Sequence, residues 1–238
     1  MSIIAGNLQA VEATITDAVK ASERTRSDVQ LLAVSKTFPA QAVLDAMAAG
    51  QLAFGENYLQ EALDKIASVA QAQPDAAVEW HFIGPIQSNK TRPIAASFAW
   101  VHTVERLKIA QRLSEQRPPE LGPLNICLQV NISGEASKSG ASPDELPALA
   151  REVAQLPNLR LRGLMAIPEP TTDEAEQRAA FARVRALFDA LRADGLELDT
   201  LSMGMSGDMA AAIAEGATIV RIGSAIFGAR NYNNQDHT

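Results

Sequence analysis

Apolar residues recur along this chain in two rhythms. Short runs rich in Leu, Val and Ile, about four to eight residues long, have the make-up of buried strands, and the stretches between them carry apolar residues at helical spacing. An opening helix is predicted over residues 7–24, where Leu8, Val11, Ile15 and Val19 form one stripe. Strand–helix units follow. The first strand runs through Leu31-Leu32-Ala33-Val34-Ser35 and ends at Lys36, and a helix over 39–49 begins on Pro39 and stops at Gly50. Further strands are expected over 52–54, 78–83, 99–103, 124–132, 159–165, 198–203 and 218–222. The helices include 105–116, 143–154, a longest one over 173–193, and 208–215, with a last apolar turn over 225–227. No linker or charge run divides residues 1–238, so one domain is expected. Eight alternating units after an extra helix predict an α/β fold, a single closed (β/α)8 barrel of the TIM type. A doubly wound open sheet is the alternative, but no G-x-G-x-x-G follows the first strand.

Composition narrows the class. Of 238 residues, 47% are hydrophobic and 21% charged, as in an ordinary soluble globular chain. A net charge of −7 without any Lys/Arg-rich block argues against nucleic acid as a partner. Apolar runs stop short of membrane-spanning length, and Met1-Ser2-Ile3-Ile4-Ala5-Gly6 lacks the features of a leader, so a cytoplasmic protein away from membranes is expected. Cys127 is the single cysteine; its apolar setting reads as core rather than reactive thiol, and no intrachain disulfide can form.

The chemistry gathers at strand ends, where barrels bind their ligands. Lys36 there is either a solvated or salt-bridged lysine or an amine that attacks an aldehyde. Ser202-Met203-Gly204-Met205-Ser206-Gly207-Asp208 feeds a glycine-rich turn into a helix N-terminus, and Arg221-Ile222-Gly223-Ser224 supplies a second glycine–serine turn after the next strand. Each alone could be a plain cap or turn, with Ser206 as N-cap; together, after strands seven and eight, they suit a phosphate. Arg221 shares a strand face with Ile219 and Gly223, as an ion-pair partner or a donor to a ligand. Facing a pyridine nitrogen it would donate a hydrogen bond and leave the ring unprotonated. A lysine for an aldehyde, a double phosphate cradle and an arginine for a ring nitrogen together describe pyridoxal 5′-phosphate. His81 and His102 make no metal-ligand pattern and read as packed or hydrogen-bonded barrel residues, while Gln129 and Asn131 share a strand face with Cys127.

Several motifs, in order, then carry a resemblance: Leu32-Ala33-Val34-Ser35-Lys36, Phe54-Gly55-Glu56-Asn57-Tyr58, His81-Phe82-Ile83-Gly84-Pro85, Ser137-Lys138-Ser139-Gly140, Gly163-Leu164-Met165, Leu201-Ser202-Met203-Gly204-Met205-Ser206 and Arg221-Ile222-Gly223-Ser224. Nearly the whole chain resembles the pyridoxal phosphate homeostasis family, the YggS/PROSC-type proteins. The resemblance implies a barrel like the N-terminal domain of alanine racemase. It implies cofactor held as a Schiff base on Lys36, ring contact near Asn57, phosphate contacts at Ser206, Gly207, Gly223 and Ser224, and Arg221 at the pyridine nitrogen. It also implies a carrier or regulator of the vitamin B6 pool, not an enzyme, with indirect effects on amino-acid and keto-acid metabolism.

A two-base racemase needs a second acid/base opposite the lysine. Tyr58 opens a helix and Tyr232 lies in a polar tail, so neither is an obvious candidate. A racemase of low or narrow activity is the first alternative reading and a non-catalytic interaction scaffold the second. Lys138, in the polar loop after strand five, is a candidate for receiving or releasing cofactor, or a solvated loop lysine. Apoenzymes that depend on pyridoxal phosphate are the expected partners, and a monomer is expected.

Overall fold

Local capping decides where the first helix begins. Ser2 accepts a hydrogen bond from the Ala5 amide, so α1 (Ile3–Ala21) starts ahead of residue 7 and buries Leu8, Val11, Ile15 and Val19. The computed structural model describes residues 2–133 and 139–229, so Lys138 and Tyr232 lie outside the described residues. After α1 come β1 (Gln30–Val34), α2 (Ala40–Ala48), β2 (Ala53–Glu56), α3 (Leu59–Ala72), β3 (Glu79–Phe82), α4 (Thr91–Ser97), β4 (Trp100–Val104), α5 (Leu107–Gln116) and β5 (Leu124–Gln129). The second half adds α6 (Leu146–Ala154), β6 (Leu159–Met165), α7 (Glu174–Ala193), β7 (Thr200–Ser202), α8 (Met209–Ala214), β8 (Ile219–Ile222) and α9 (Ser224–Phe227).

The strands pair in parallel and in chain order, and β8 returns to β1 to close the barrel. Closure runs through Gln30↔Ile219, Leu31↔Val220, Leu32↔Arg221 and Ala33↔Ile222. This is the expected (β/α)8 barrel, with α1 the extra helix lying on α2, α8 and α9.

Strand alternation sorts the buried side chains into two layers. Leu31, Ala33, Phe54, Ile126, Val220 and Ile222 join the helices in one continuous apolar shell around the barrel. Inside, Leu32, Ala53 and Ile219 form one small apolar cluster and Trp100, Cys127 and Met165 another. Between and above them the interior is polar, with His81, His102, Ser202 and Arg221 all buried. Cys127 is fully buried and burial pushes its thiol up to about 12, as befits a core residue.

Some boundaries differ from expectation, for local reasons. β1 ends at Val34, and the Phe38 amide turns back to the Ser35 carbonyl, so Lys36 stands on a turn just past the strand. β5 stops at Gln129 rather than residue 132, because the Ala141 and Asn131 amides pair locally across to Gln129 and Ala141. The helix expected from residue 143 begins at Leu146, behind a reciprocal pair in which the Glu145 amide donates to the Ser142 hydroxyl and the Ser142 amide to the Glu145 carboxylate. Among the described residues no helix is long and apolar enough to cross a membrane.

Gly163 on β6 shows how closely the strands approach: a Cβ there would fall 1.7 Å from the Thr200 carbonyl oxygen. Gly163→Ala is expected to cost roughly 3 kcal/mol or more of stability. Thermal unfolding would register this as a clear drop in Tm, whereas an unchanged Tm would show that β6 and β7 can separate without penalty.

Candidate functional site

The register of the closed barrel decides what surrounds Lys36. β1 pairs with β2 at Val34↔Gly55 and with β8 at Ala33↔Ile222. The turn carrying the half-buried Lys36 therefore lies between the segment carrying Asn57 and the one carrying Gly223-Ser224. Gly223 permits that approach, since a Cβ on it would stand 3.2 Å from the Val34 carbonyl oxygen. The Arg221 amide donates to the Gly204 carbonyl at 2.9 Å, which ties the turn after β7 to β8 and brings Ser206 and Gly207 to the same rim. The N-cap of α8 is Asp208, not Ser206, and its Oδ1 accepts from the Met205 amide at 2.6 Å. No hydrogen bond among the described residues takes the amides of Ser206, Gly207 or Ser224. Lys36, Asn57, Ser206, Gly207, Arg221, Gly223 and Ser224 thus share the carboxyl end of the barrel.

Beneath Lys36 lies a buried ionic clamp that sequence reasoning missed. Lys65 on α3 donates to the Ser35 carbonyl (2.8 Å), to Glu56 Oε1 (2.6 Å) and to Glu61 Oε1 (3.0 Å). The Ser35 hydroxyl donates to the same Glu56 oxygen at 2.6 Å, and the Thr37 amide to Glu61 Oε1 at 2.6 Å. The clamp therefore grips the backbone on both sides of Lys36. Thr37 needs that grip, because its φ of 68° is left-handed and unfavourable for a β-branched residue. Burial raises the Glu56 carboxyl above its usual range, against the pull of the Lys65 ammonium and the Ser35 hydroxyl. The Glu61–Lys65 spacing of four on a helix was the one trace of the clamp in the sequence.

The second feature is inside the barrel. Arg221 Nη1 donates to the Ser202 carbonyl (2.6 Å) and hydroxyl (2.8 Å), and Nη2 to the Ala166 carbonyl (3.0 Å). Burial lowers its pKa to about 10, which still leaves it a cation at neutral pH. His81 and His102 touch at 2.9 Å, and burial lowers both, His102 the further. The pair is therefore neutral, a hydrogen-bonded barrel feature as expected. Among the described residues no group of His, Cys, Asp or Glu is placed to hold a metal.

Two openings flank the rim. A cavity of about 240 Å³ is lined by Asn57, Thr103, Glu105, Gln129 and Ile167 among others, and a groove of about 570 Å³ is lined by Ser206, Gly207 and Asp208 with Pro168 and Thr171. The Oδ1 of Asn57 is buried without a hydrogen-bond partner. Lys36 and Arg221 line neither of these two openings.

Comparison with known proteins adds the following. The chain matches the family described as alanine racemase, N-terminal domain, over residues 7–231. It is 66% identical over 232 residues to a pyridoxal phosphate homeostasis protein of Pseudomonas aeruginosa, covering 98% of each chain. It is 52% identical to the protein of the same name from Escherichia coli, covering 98% of this chain and 99% of the relative. The structure of PipY from Synechococcus elongatus with PLP bound superposes with a TM-score of 0.82 at 38% identity, covering 94% of this chain and all of that one.

Removing one end of the clamp should expose its cost. Lys65→Met leaves the Glu56 carboxylate buried and unpaired, and is expected to lose roughly 3–5 kcal/mol in denaturant unfolding, much of it recovered in the Lys65→Met, Glu56→Gln double variant. Equal stability of the wild type and the single variant would show that the pair is not buried as described. The neutral histidines give a second expectation. Their folded pKa values lie below 6.5, so the unfolded chain takes up protons first as pH falls. The stability they allow is lost as pH falls through about 6.5, by at most about 1.4 kcal/mol per pH unit for each histidine that stays neutral in the folded chain. Below about pH 6.5, His102→Gln should therefore have a shallower stability slope than the wild type; equal slopes would mean that His102 protonates in the folded chain as readily as in the unfolded one.

Proposed function

The chain belongs to the pyridoxal phosphate homeostasis proteins, within the family built on the alanine racemase N-terminal domain, and we propose on that basis that it binds pyridoxal 5′-phosphate at the carboxyl rim of its barrel and acts as a carrier or regulator of the vitamin B6 pool. The observation that carries the reading is the convergence of an amine, an arginine and two glycine–serine turns on one rim of adjoining strands.

The residues present suit that cofactor. Lys36 is its covalent anchor, held on a turn whose backbone is clamped on either side. The unengaged amides of Ser206, Gly207 and Ser224, with Gly223 allowing the turn to lie against β1, suit the phosphate. Asn57 offers a buried oxygen that lacks a donor and so suits a hydroxyl at the ring edge. The three hydrogen bonds that hold Arg221 leave other N–H groups of its guanidinium for the ring nitrogen. Bound there, pyridoxal phosphate supplies an aldehyde that amines attack and a ring that accepts electrons. An arginine keeps its proton, so it holds the ring nitrogen as an acceptor and weakens the ring as an electron sink. That favours holding and passing on the cofactor over turning over a substrate. The relatives that match almost end to end are likewise named for homeostasis and not for a reaction.

Apoenzymes that use pyridoxal phosphate are the proposed recipients, with Lys138 assisting release, and the proposal includes a single domain over residues 1–238 working as a monomer in the cytoplasm. The test is borohydride reduction of protein loaded with pyridoxal phosphate, followed by peptide mass mapping. A pyridoxyl group is expected on Lys36 and nowhere else at comparable yield, and Lys36→Ala should lose both the adduct and the visible absorption band. Adduct formation spread over surface lysines, unaffected by Lys36→Ala, would sink the assignment.

A further inference from the structure

A continuous line of side chains crosses the barrel interior to Arg221. Glu79 stands at the start of β3; its Oε1 lies 2.8 Å from His81 Nε2. His81 Nδ1 is 2.9 Å from His102 Nε2 on β4, and His102 Nδ1 is 2.7 Å from the hydroxyl of Ser202 on β7. That hydroxyl accepts from Arg221 on β8 at 2.8 Å. We infer that Glu79, His81, His102 and Ser202 form a hydrogen-bond relay of one fixed direction, whose task is to position the Arg221 guanidinium for the cofactor ring. The inference rests on the reading above that Arg221 faces the ring nitrogen.

The direction follows from counting protons. Arginine can only donate, so Ser202 Oγ accepts from it. The single hydroxyl proton of Ser202 then has His102 Nδ1 as its acceptor. A neutral His102 whose Nδ1 accepts must carry its proton on Nε2, which donates to His81 Nδ1. His81 in turn carries its proton on Nε2 and donates to the Glu79 carboxylate. Every proton along the line is used. The opposite direction would require a protonated Glu79 and would leave the Ser202 hydroxyl proton without an acceptor. Glu79 is unsuited to that: the hydrogen bond from His81 holds its carboxyl at about 2, against the effect of its own partial burial.

The surroundings support one direction as well. Trp100 stacks on His81 with the rings 5° from parallel, and the full burial of the imidazole disfavours a cation on it. The Gln30 amide donates to the same Glu79 oxygen at 3.1 Å and fixes the acceptor end. At the other end two carbonyls, of Ser202 and Ala166, place the plane of the guanidinium. The Ser202 hydroxyl is the one side-chain partner among its described hydrogen bonds, and the relay alone orients it. His102, Ser202 and Arg221 are buried, so no water competes to turn the hydroxyl the other way.

The test reads the ring protons directly. The chain has three histidines, His81, His102 and His237, so a long-range 1H–15N spectrum of the full-length protein at neutral pH can be assigned with single variants. Both buried rings are expected as neutral Nε2–H tautomers, with and without pyridoxal phosphate. Ser202→Ala should move the His102 Nδ1 resonance toward that of an unbonded acceptor, shift the visible band of the bound cofactor and speed its dissociation roughly tenfold. Ser202→Thr, which keeps the hydroxyl, should restore all three. An Nδ1–H tautomer or an imidazolium at either buried ring would overturn the relay, and that reading needs no variant to fold. The positioning role would fall if Ser202→Ala kept the wild-type band and dissociation rate while Arg221→Lys changed both. If Arg221→Lys also left them unchanged, the ring-facing reading of Arg221 would itself be wrong, and the proposal with it.

Discussion

Everything at the candidate site depends on the ladder that closes the barrel. β1 and β8 are separated by most of the chain, yet their pairing sets Leu32 beside Arg221 and Ala33 beside Ile222. The amine that ends the first unit and the glycine–serine turn that ends the last are neighbours for that reason alone. A shift of one residue in this ladder would turn Arg221 from the interior into the apolar shell and Val220 into the barrel. The cost of placing a guanidinium in that apolar shell, without carbonyl partners, is what makes the register secure.

The fold was legible because its signals are periodic. Strand and helix rhythms repeat unit by unit, and even the short strand β7 is flanked by turn residues that mark it. The rim residues could be found because they follow strands directly and because glycine and serine recur there. The clamp of Lys65, Glu56 and Ser35 could not. Its members sit on a helix, a strand and the turn after β1, and nothing in the order of residues says that α3 will lay Lys65 across the end of β1. The polar line inside the barrel was hidden in a similar way: His81 and His102 lie on neighbouring strands, but His102 meets Ser202 only when β4 and β7 face one another across the closed barrel. Where the chain starts its first helix was decided by one hydroxyl, that of Ser2, which lies outside the apolar stripe and so leaves no periodic trace.

Polar interiors of this kind carry a penalty that the rest of the molecule must offset. The two small apolar clusters inside the barrel are too limited to hold it closed, and most apolar burial lies in the outer shell between strands and helices. The interior is instead specified by geometry. Along the line from Glu79 to Arg221 the polar groups have one arrangement in which donors and acceptors are matched, and a matched network of that sort is stiff.

This division of labour between two layers bears on how a protein can give a ligand away. In many cofactor proteins the ligand is part of the core, so the empty chain loosens and the bound form is favoured by the folding equilibrium itself. Here the layer that keeps the barrel closed does not include the rim. The empty and loaded molecules can therefore share one architecture, and release need not compete with unfolding. A vessel whose walls stand without their contents can be emptied and filled again.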